Sequence, residues 1–393
     1  MNLHLPFHPD AARAEFDRNF SERAELGASV SVFCGETELL DWSGGSIDRD
    51  RTLPWTSDTP VLVWSATKGP SAACLLHALD DCGLSLETPV PHFWPEFAAA
   101  GKESVTVRML LQHQAGLCAL DTPPPAQDHA AVAAALAAQT PAWEPGTAHG
   151  YHPRTYGFLL EETLRRLLGV SLGEYWRAIF AEPLQLEFWI GVPEAMLPRV
   201  APVHGPRSTL AKGDPFLTAF LTPGSLTARA FASPKGLHTA GSMNEPAARL
   251  ACYPGWGGIG TARALAKFYA MLACDGCLGS RRFLPSKFLR SIACERIQGP
   301  DPVLHMESAF SLGFMRDPLR PNGSKLRRVF GPSHAAFGHP GAGGSVAFAD
   351  PDRGIGFAYV MNQMEPGVLP SEKCSSLVDA LLGPSDPPPG RIP

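Results

Sequence analysis

Charge is scarce in this chain: only 18% of its 393 residues are charged, and only eight of its basic residues are lysines. No block of basic residues occurs and the net charge is −5, so nucleic acid is not an expected partner. Long apolar runs are also missing, and nothing approaches the roughly 20 residues of a membrane-spanning helix; no membrane partner is expected. Met1-Asn2-Leu3-His4-Leu5-Pro6 has no charged segment leading into an apolar one, so no signal peptide is expected. Paired cysteine motifs are lacking too. The nine cysteines are scattered, and Cys274-Asp275-Gly276-Cys277 stands alone, a poor zinc site with no βαβ pattern to support a redox role. Seven cysteines, Cys34, Cys74, Cys82 and Cys118 among them, sit between apolar neighbours as buried free thiols do. A reducing, cytoplasmic location is expected. His129, His149, His204, His238, His305 and His334 show no metal-ligand spacing, so no metal is implied, and no internal repeat is visible.

What is present is a 45% hydrophobic composition, enough for one large domain or two of ordinary size. Among the eight lysines only Lys68 has a serine at the minus-three position, in Ser65-Ala66-Thr67-Lys68. The apolar run Val61-Leu62-Val63-Trp64 precedes it as a strand would, and Ala72, Leu75, Leu76 and Leu79 follow at the spacing of an amphipathic helix running from Ala66 to Gly83. Serine and lysine then share one helix face a turn apart, which gives a serine nucleophile a nearby base without histidine. At the helix start, the dipole favours developing negative charge. The competing reading is a serine N-cap beside a solvated lysine.

Val30–Phe33 and Glu38–Trp42 read as a hairpin. Helical spacing follows at Val107–Gln112, Tyr156–Leu168 and Leu172–Phe180, and residues 198–255 form a long irregular stretch of the kind that lines sites. Thr261–Ala273 is a helix, Ser345–Ala349 and Ile355–Met361 a second hairpin, Ser371–Leu382 a last helix, and Ser385–Pro393 a tail. Strands at both ends suggest an α/β sandwich from residues 1–85 and 255–393 with a mostly helical insert, 86–254. Gly169-Val170-Ser171-Leu172-Gly173 matches a G-x-S-x-G elbow, but an amphipathic helix rather than a buried strand precedes it; Ser171 reads as a helix N-cap.

Three further segments complete a pattern: Leu110-Leu111-Gln112-His113-Gln114-Ala115-Gly116-Leu117; Trp143-Glu144-Pro145-Gly146-Thr147, leading to Tyr151 and Tyr156-Gly157-Phe158-Leu159-Leu160; and Gly338-His339-Pro340-Gly341-Ala342-Gly343-Gly344-Ser345. With Ser65-Ala66-Thr67-Lys68, their order and separations resemble the serine β-lactamase and penicillin-binding-protein superfamily, and within it the family VIII carboxylesterases. The resemblance implies an antiparallel sheet flanked by helices, Ser65 as acylated nucleophile, Lys68 and Tyr151 as its base system, the amides of Ser65 and Ala342 as oxyanion hole, Gly341 in the oxyanion strand, His339 at the position of a substrate-binding lysine, and His113 as a structural core histidine. Lysine or tyrosine can act as base only with a lowered pKa: positive charge favours tyrosinate, while burial and a like charge favour neutral lysine. As a coupled pair, either could take the proton.

Two departures from the lactamase pattern matter. Pro153 stands where the lactamases carry asparagine and His339 where they carry lysine, which removes two polar anchors for a β-lactam and favours neutral esters. The expected function is hydrolysis of small or medium carboxylic esters through an acyl-Ser65 intermediate, with a small-molecule ester as partner and no cofactor. Trp256, with Phe216, Phe220 and Phe231, is a candidate for lining the pocket. β-Lactamase, D-amino-acid peptidase or amidase, and acyltransferase are the alternatives within the fold, and a catalytically silent binding module the alternative outside it. Nothing in the sequence specifies an oligomeric state.

Overall fold

Both ends of the chain build one sheet. In a computed structural model describing residues 5–383, β1 (Gly27–Cys34), β2 (Thr37–Gly45), β3 (Phe337–Pro340), β4 (Val346–Asp350) and β5 (Ile355–Met361) pair antiparallel in the order β3-β4-β5-β1-β2. Val30 lies opposite Tyr359 on one side and Trp42 on the other. Antiparallel sheets often leave one face wet, but here β4 and β5 are buried throughout. Val30, Val32, Phe357 and Tyr359 share a core with Phe16 of α1 (Pro9–Ser21) and Leu377 of the C-terminal helix. The intervening Ala358 and Val360 belong to a second core with the helix Ala262–Ala273. Gly356 allows that helix to lie directly on the sheet: a Cβ there would meet the Ala266 carbonyl oxygen and the Ala270 nitrogen at 2.1 Å each.

Both expected hairpins form: the first extends beyond its apolar runs at both ends, and in the second the strand expected over 345–349 is shifted by one residue to Val346–Asp350. α2 (Lys68–Asp81), α3 (Thr155–Leu168), α4 (Ala262–Ala273, capped by Thr261) and α5 (Glu372–Leu382) stand where helices were expected. The tail Ser385–Pro393 lies outside the described residues. α2 departs from expectation in one respect: it is buried on nearly all sides from Lys68 to Leu79, because it is packed against α3 and β3 rather than laid on a surface. Cys82, expected to be buried, is exposed, since it follows the last turn of α2 where the chain emerges into solvent. Regular α-helix from Leu172 ends at Trp176, and the next turn widens over Arg177–Ala181.

Residues 198–255 are irregular only in part. They fold into short helices, Pro215–Leu221, Leu226–Ala232, Ala240–Asn244 and Pro246–Leu250, three of them started by side-chain caps from Asp214, Ser225 and Thr239. Helices of five to seven residues are too short to display a 3.6-residue period. A hairpin of Ile297–Asp301 with Met306–Phe310 was not anticipated, because Gly299-Pro300 inside its first strand reads as a turn. Among the described residues no helix is long and apolar enough to cross a membrane.

Candidate active site

Ser65 stands on a bend that the sheet and helix hold from both sides. Val61 and Leu62 pair with Gly260 and Ile259; Trp64 then takes a left-handed φ of +50°, and a 3₁₀ turn, Trp64–Thr67, leads into α2. Thr67 Oγ1 locks the turn by donating to the Trp64 carbonyl (2.5 Å) and accepting from the Gly258 amide (2.8 Å). Ser65 is partly exposed while its neighbours on both sides are buried. The expected strand-to-helix junction is present, with the 3₁₀ turn inserted. Strain of this kind at a positive φ persists only where surrounding contacts over-determine it.

Lys68 is fully buried. Its Nζ lies 3.0 Å from Ser65 Oγ and donates to the carbonyls of Pro153 (2.8 Å) and Gly255 (2.7 Å). Hydrogen-bond counting admits either protonation state, because a neutral amine has two N–H donors for the two carbonyls and a lone pair for the serine hydroxyl proton. Electrostatics decides. Among the described residues Lys68 has no carboxylate partner, and an unpaired buried ammonium costs several kcal/mol. Burial, assisted by the Arg154 cation, holds the Lys68 pKa well below the ordinary lysine value. Arg154 itself has no acidic partner among the described residues: it donates to the carbonyls of Pro234 and Gly236 and lies 4.6 Å over the Trp256 ring.

Tyr151 reaches the serine from irregular chain. Lys68 Nζ is 4.9 Å from its ring centroid. Burial raises its pKa, while a hydrogen bond with Ser65 pulls the other way, so the phenol is protonated at rest. His113, as expected, is a core residue. Its ring stacks on Tyr156 (4.6 Å, 29°), its Nδ1 accepts from the His152 amide (3.1 Å), and its carbonyl accepts from Gly150. His152 Nε2 in turn accepts from the Leu117 amide (2.9 Å). Burial keeps both rings neutral, pushing His113 well down and His152 to about 4.

β3 runs past this cluster. Gly341 lies directly on the chain before the serine, where a Cβ would sit 2.0 Å from the Val63 carbonyl oxygen. The amides of Ser65 and Ala342 have no hydrogen-bond partner among the described residues. His339 is buried; its Nδ1 donates to the Pro340 carbonyl (2.7 Å), its Nε2 has no partner among the described residues, and burial pushes its pKa down to about 3. It is therefore neutral, unlike the lysine whose place it takes. Trp256 is buried between Tyr253 (5.0 Å, 16°) and Arg154. Phe216, Phe220 and Phe231 pack on one another at 5.4–5.8 Å, with Phe220 41% exposed. Ser171 forms a capping box with Glu174. A 310 Å³ hollow is lined in part by Ser171, Trp189 and Cys252 and by none of Ser65, Lys68 or Tyr151.

One residue at the site went unread in the sequence. Asp301, 2% exposed, accepts from the backbone amide of Tyr151 through both carboxylate oxygens (3.2 and 3.0 Å). Its only local signal is an Asp-Pro pair, which marks many turns.

An antiparallel sheet flanked by helices, with a serine and a buried lysine one turn apart at their junction, is the arrangement of the β-lactamase and transpeptidase-like fold. The chain belongs to the Beta-lactamase family, which matches it over residues 16–373. It is 32% identical over 359 residues to Esterase/beta-lactamase LipL of Mycobacterium tuberculosis, covering 89% of this chain and 80% of that one. Among solved structures it resembles a penicillin-binding-protein homologue from Caulobacter crescentus (36% identity, TM-score 0.83, covering 94% of this chain and 96% of that one). It is equally similar to a family VIII carboxylesterase (34% identity, TM-score 0.83, covering 95% and 96%).

Proposed function

We propose that this protein is a serine carboxylesterase acting on small or medium neutral esters. The observation that carries the reading is the 3.0 Å approach of a fully buried, carboxylate-free Lys68 to Ser65 Oγ. Neutral Lys68 takes the Ser65 proton as Oγ attacks the ester carbonyl. The Oγ–C bond forms, and the free amides of Ser65 and Ala342 receive the oxyanion. As the tetrahedral intermediate collapses, the ester C–O bond breaks and the alcohol leaves with a proton passed through Tyr151, which Lys68 replenishes. Water then attacks the acyl-Ser65 by the same proton route in reverse, releasing the acid. Gly341 brings the oxyanion strand up to the serine, and His339 and Trp256 wall the site. A neutral His339 offers no cation to a carboxylate, and Pro153 offers no side-chain amide, which supports neutral esters over β-lactams. The name of LipL and the carboxylesterase neighbour support the same class. A cytoplasmic setting fits the nine free cysteines.

The test is a fluorophosphonate label with p-nitrophenyl esters of graded length and nitrocefin alongside. Label should fall on Ser65, and Ser65→Ala should lose roughly 10³-fold or more in ester turnover, while Ser171→Ala keeps it. Missing one charge-assisted anchor at roughly 1.5–3 kcal/mol and one neutral one at roughly 0.5–1.5 kcal/mol, nitrocefin should trail a short aryl ester by about 100-fold in kcat/KM. Comparable values would favour the β-lactamase alternative.

A further inference from the structure

Asp301 is a buried carboxylate with no cationic partner among the described residues. Oδ1 accepts from the amides of Val303 (2.8 Å) and Leu304 (3.0 Å), closing the tip of the 297–310 hairpin. Turn capping does not account for the rest: Oδ1 also takes the Tyr151 amide, at 3.2 Å. Oδ2 takes neither turn amide; it takes the Tyr151 amide more closely (3.0 Å) and the Ser308 hydroxyl (2.8 Å), with His149 Nε2 behind Ser308 at 3.0 Å. At the other end of the same hairpin, Phe310 stacks on the Tyr151 ring, nearly parallel (6.0 Å, 3°). Met315 then bridges Phe310 to Gly338 of β3, the strand that leads to Ala342.

We propose that Asp301 is a positioning residue for the reaction: it holds the Tyr151 backbone while Phe310 holds the ring, so one hairpin sets the phenol against Ser65 and ties it to the oxyanion strand. The proposal rests on the reading of Tyr151 as part of the proton path. Two holds are needed because Tyr151 lies in no helix or strand. A backbone rotation of about 10° displaces the end of a tyrosine ring by roughly 1 Å, enough to cost about 100-fold in rate.

Asp301→Asn separates positioning from turn capping, since its one remaining oxygen can still serve Val303 and Leu304, while the Tyr151 N–H loses the charge and its closer oxygen and keeps only the 3.2 Å contact, with an NH2 donor set beside it. With p-nitrophenyl acetate, kcat should fall about 10–100-fold with KM within about twofold and far-UV circular dichroism native. Asp301→Glu keeps the charge but overreaches, and should lose a similar factor; a fully active Asp301→Glu, or wild-type kcat in both variants, overturns the proposal. Should Asp301→Asn not fold, Ser308→Ala removes a single donor to Oδ2, and a kcat loss of about threefold at native melting temperature supports the proposal where wild-type kcat overturns it. A second readout does not depend on ester hydrolysis. In a spectrophotometric titration the Tyr151 phenol, held up mainly by burial, should ionise at lower pH in Asp301→Glu, which keeps the charge, and that transition should be absent from Asp301→Glu/Tyr151→Phe. An esterase-negative protein that shows this titration defeats the ester reading and keeps the positioning; its absence defeats the positioning.

Discussion

The two halves of the proposed proton path are built in opposite ways. On the serine side, Ser65 and Lys68 lie on one turn, fixed by helix geometry and by a brace from Thr67 to Gly258. On the tyrosine side, Tyr151 lies in irregular chain, and its holds come from Asp301 and Phe310, some 150 residues away. The proposed nucleophile and its base are thus written into four residues. The proposed onward route through Tyr151 requires the whole fold, and it is the part that distant substitutions should move.

Removing each half chemically gives the largest effect. Lys68→Ala and Tyr151→Phe should each lower kcat/KM by roughly 10³-fold or more, and the double variant should fall well short of the product. Steady-state kinetics on one aryl ester measures the cycle. Fully multiplicative losses would mean that the two sides do not share a proton transfer, and Tyr151 would leave the mechanism.

The same division separates what the sequence disclosed from what it hid. Ser65, Lys68, the flanking hairpins and the Thr261-capped α4 rest on spacings of two to four residues, which periodicity and capping rules detect. The resemblance pointed to Tyr151, but not to what holds it. Asp301 carries no local pattern beyond a turn, and Gly299-Pro300 disguised its strand. The short helices of 198–255 were hidden because side-chain caps and tertiary contacts, rather than an apolar stripe, sustain them. His339 was read as an altered anchor, yet its neutrality comes from burial that only the packed sheet creates.

A smaller effect should follow from pushing the oxyanion strand away while leaving both halves chemically intact. Gly341→Ala places a methyl group 2.0 Å from the Val63 carbonyl oxygen, a backbone atom that cannot swing aside as a side chain would. Overpacking of this kind costs about 1–3 kcal/mol, and a displaced Ala342 amide costs about 10²–10³ in kcat. Gly205→Ala, with no atom within 4 Å of its added Cβ, should leave melting temperature and kcat unchanged. Equal behaviour of the two variants would remove close approach at Gly341 from the account.

The mildest test uses acid to separate the two sides. The tyrosine arm is tied to neutral imidazoles: the His152 amide donates to His113, the Gly150 amide to the His113 carbonyl, and the Leu117 amide to His152 Nε2. Burial sets the folded pKa of His152 at about 4, below the roughly 6.5 of an unfolded histidine. Between those values the unfolded chain binds the proton and the folded one does not, so stability from this group is full above about pH 6.5 and falls as pH drops toward 4. The loss from His152 between pH 7 and 5 is about 2 kcal/mol, and His113 adds in the same direction. Urea melts at the two pH values measure it, and His152→Gln should flatten the difference. Amide exchange near pH 5 should show residues 149–153 opening more readily than the Ser65–Lys68 turn, whose braces carry no titrating ring. Uniform opening of both would place the acid sensitivity in the common core and erase the contrast between a locally written nucleophile and a tyrosine held at long range.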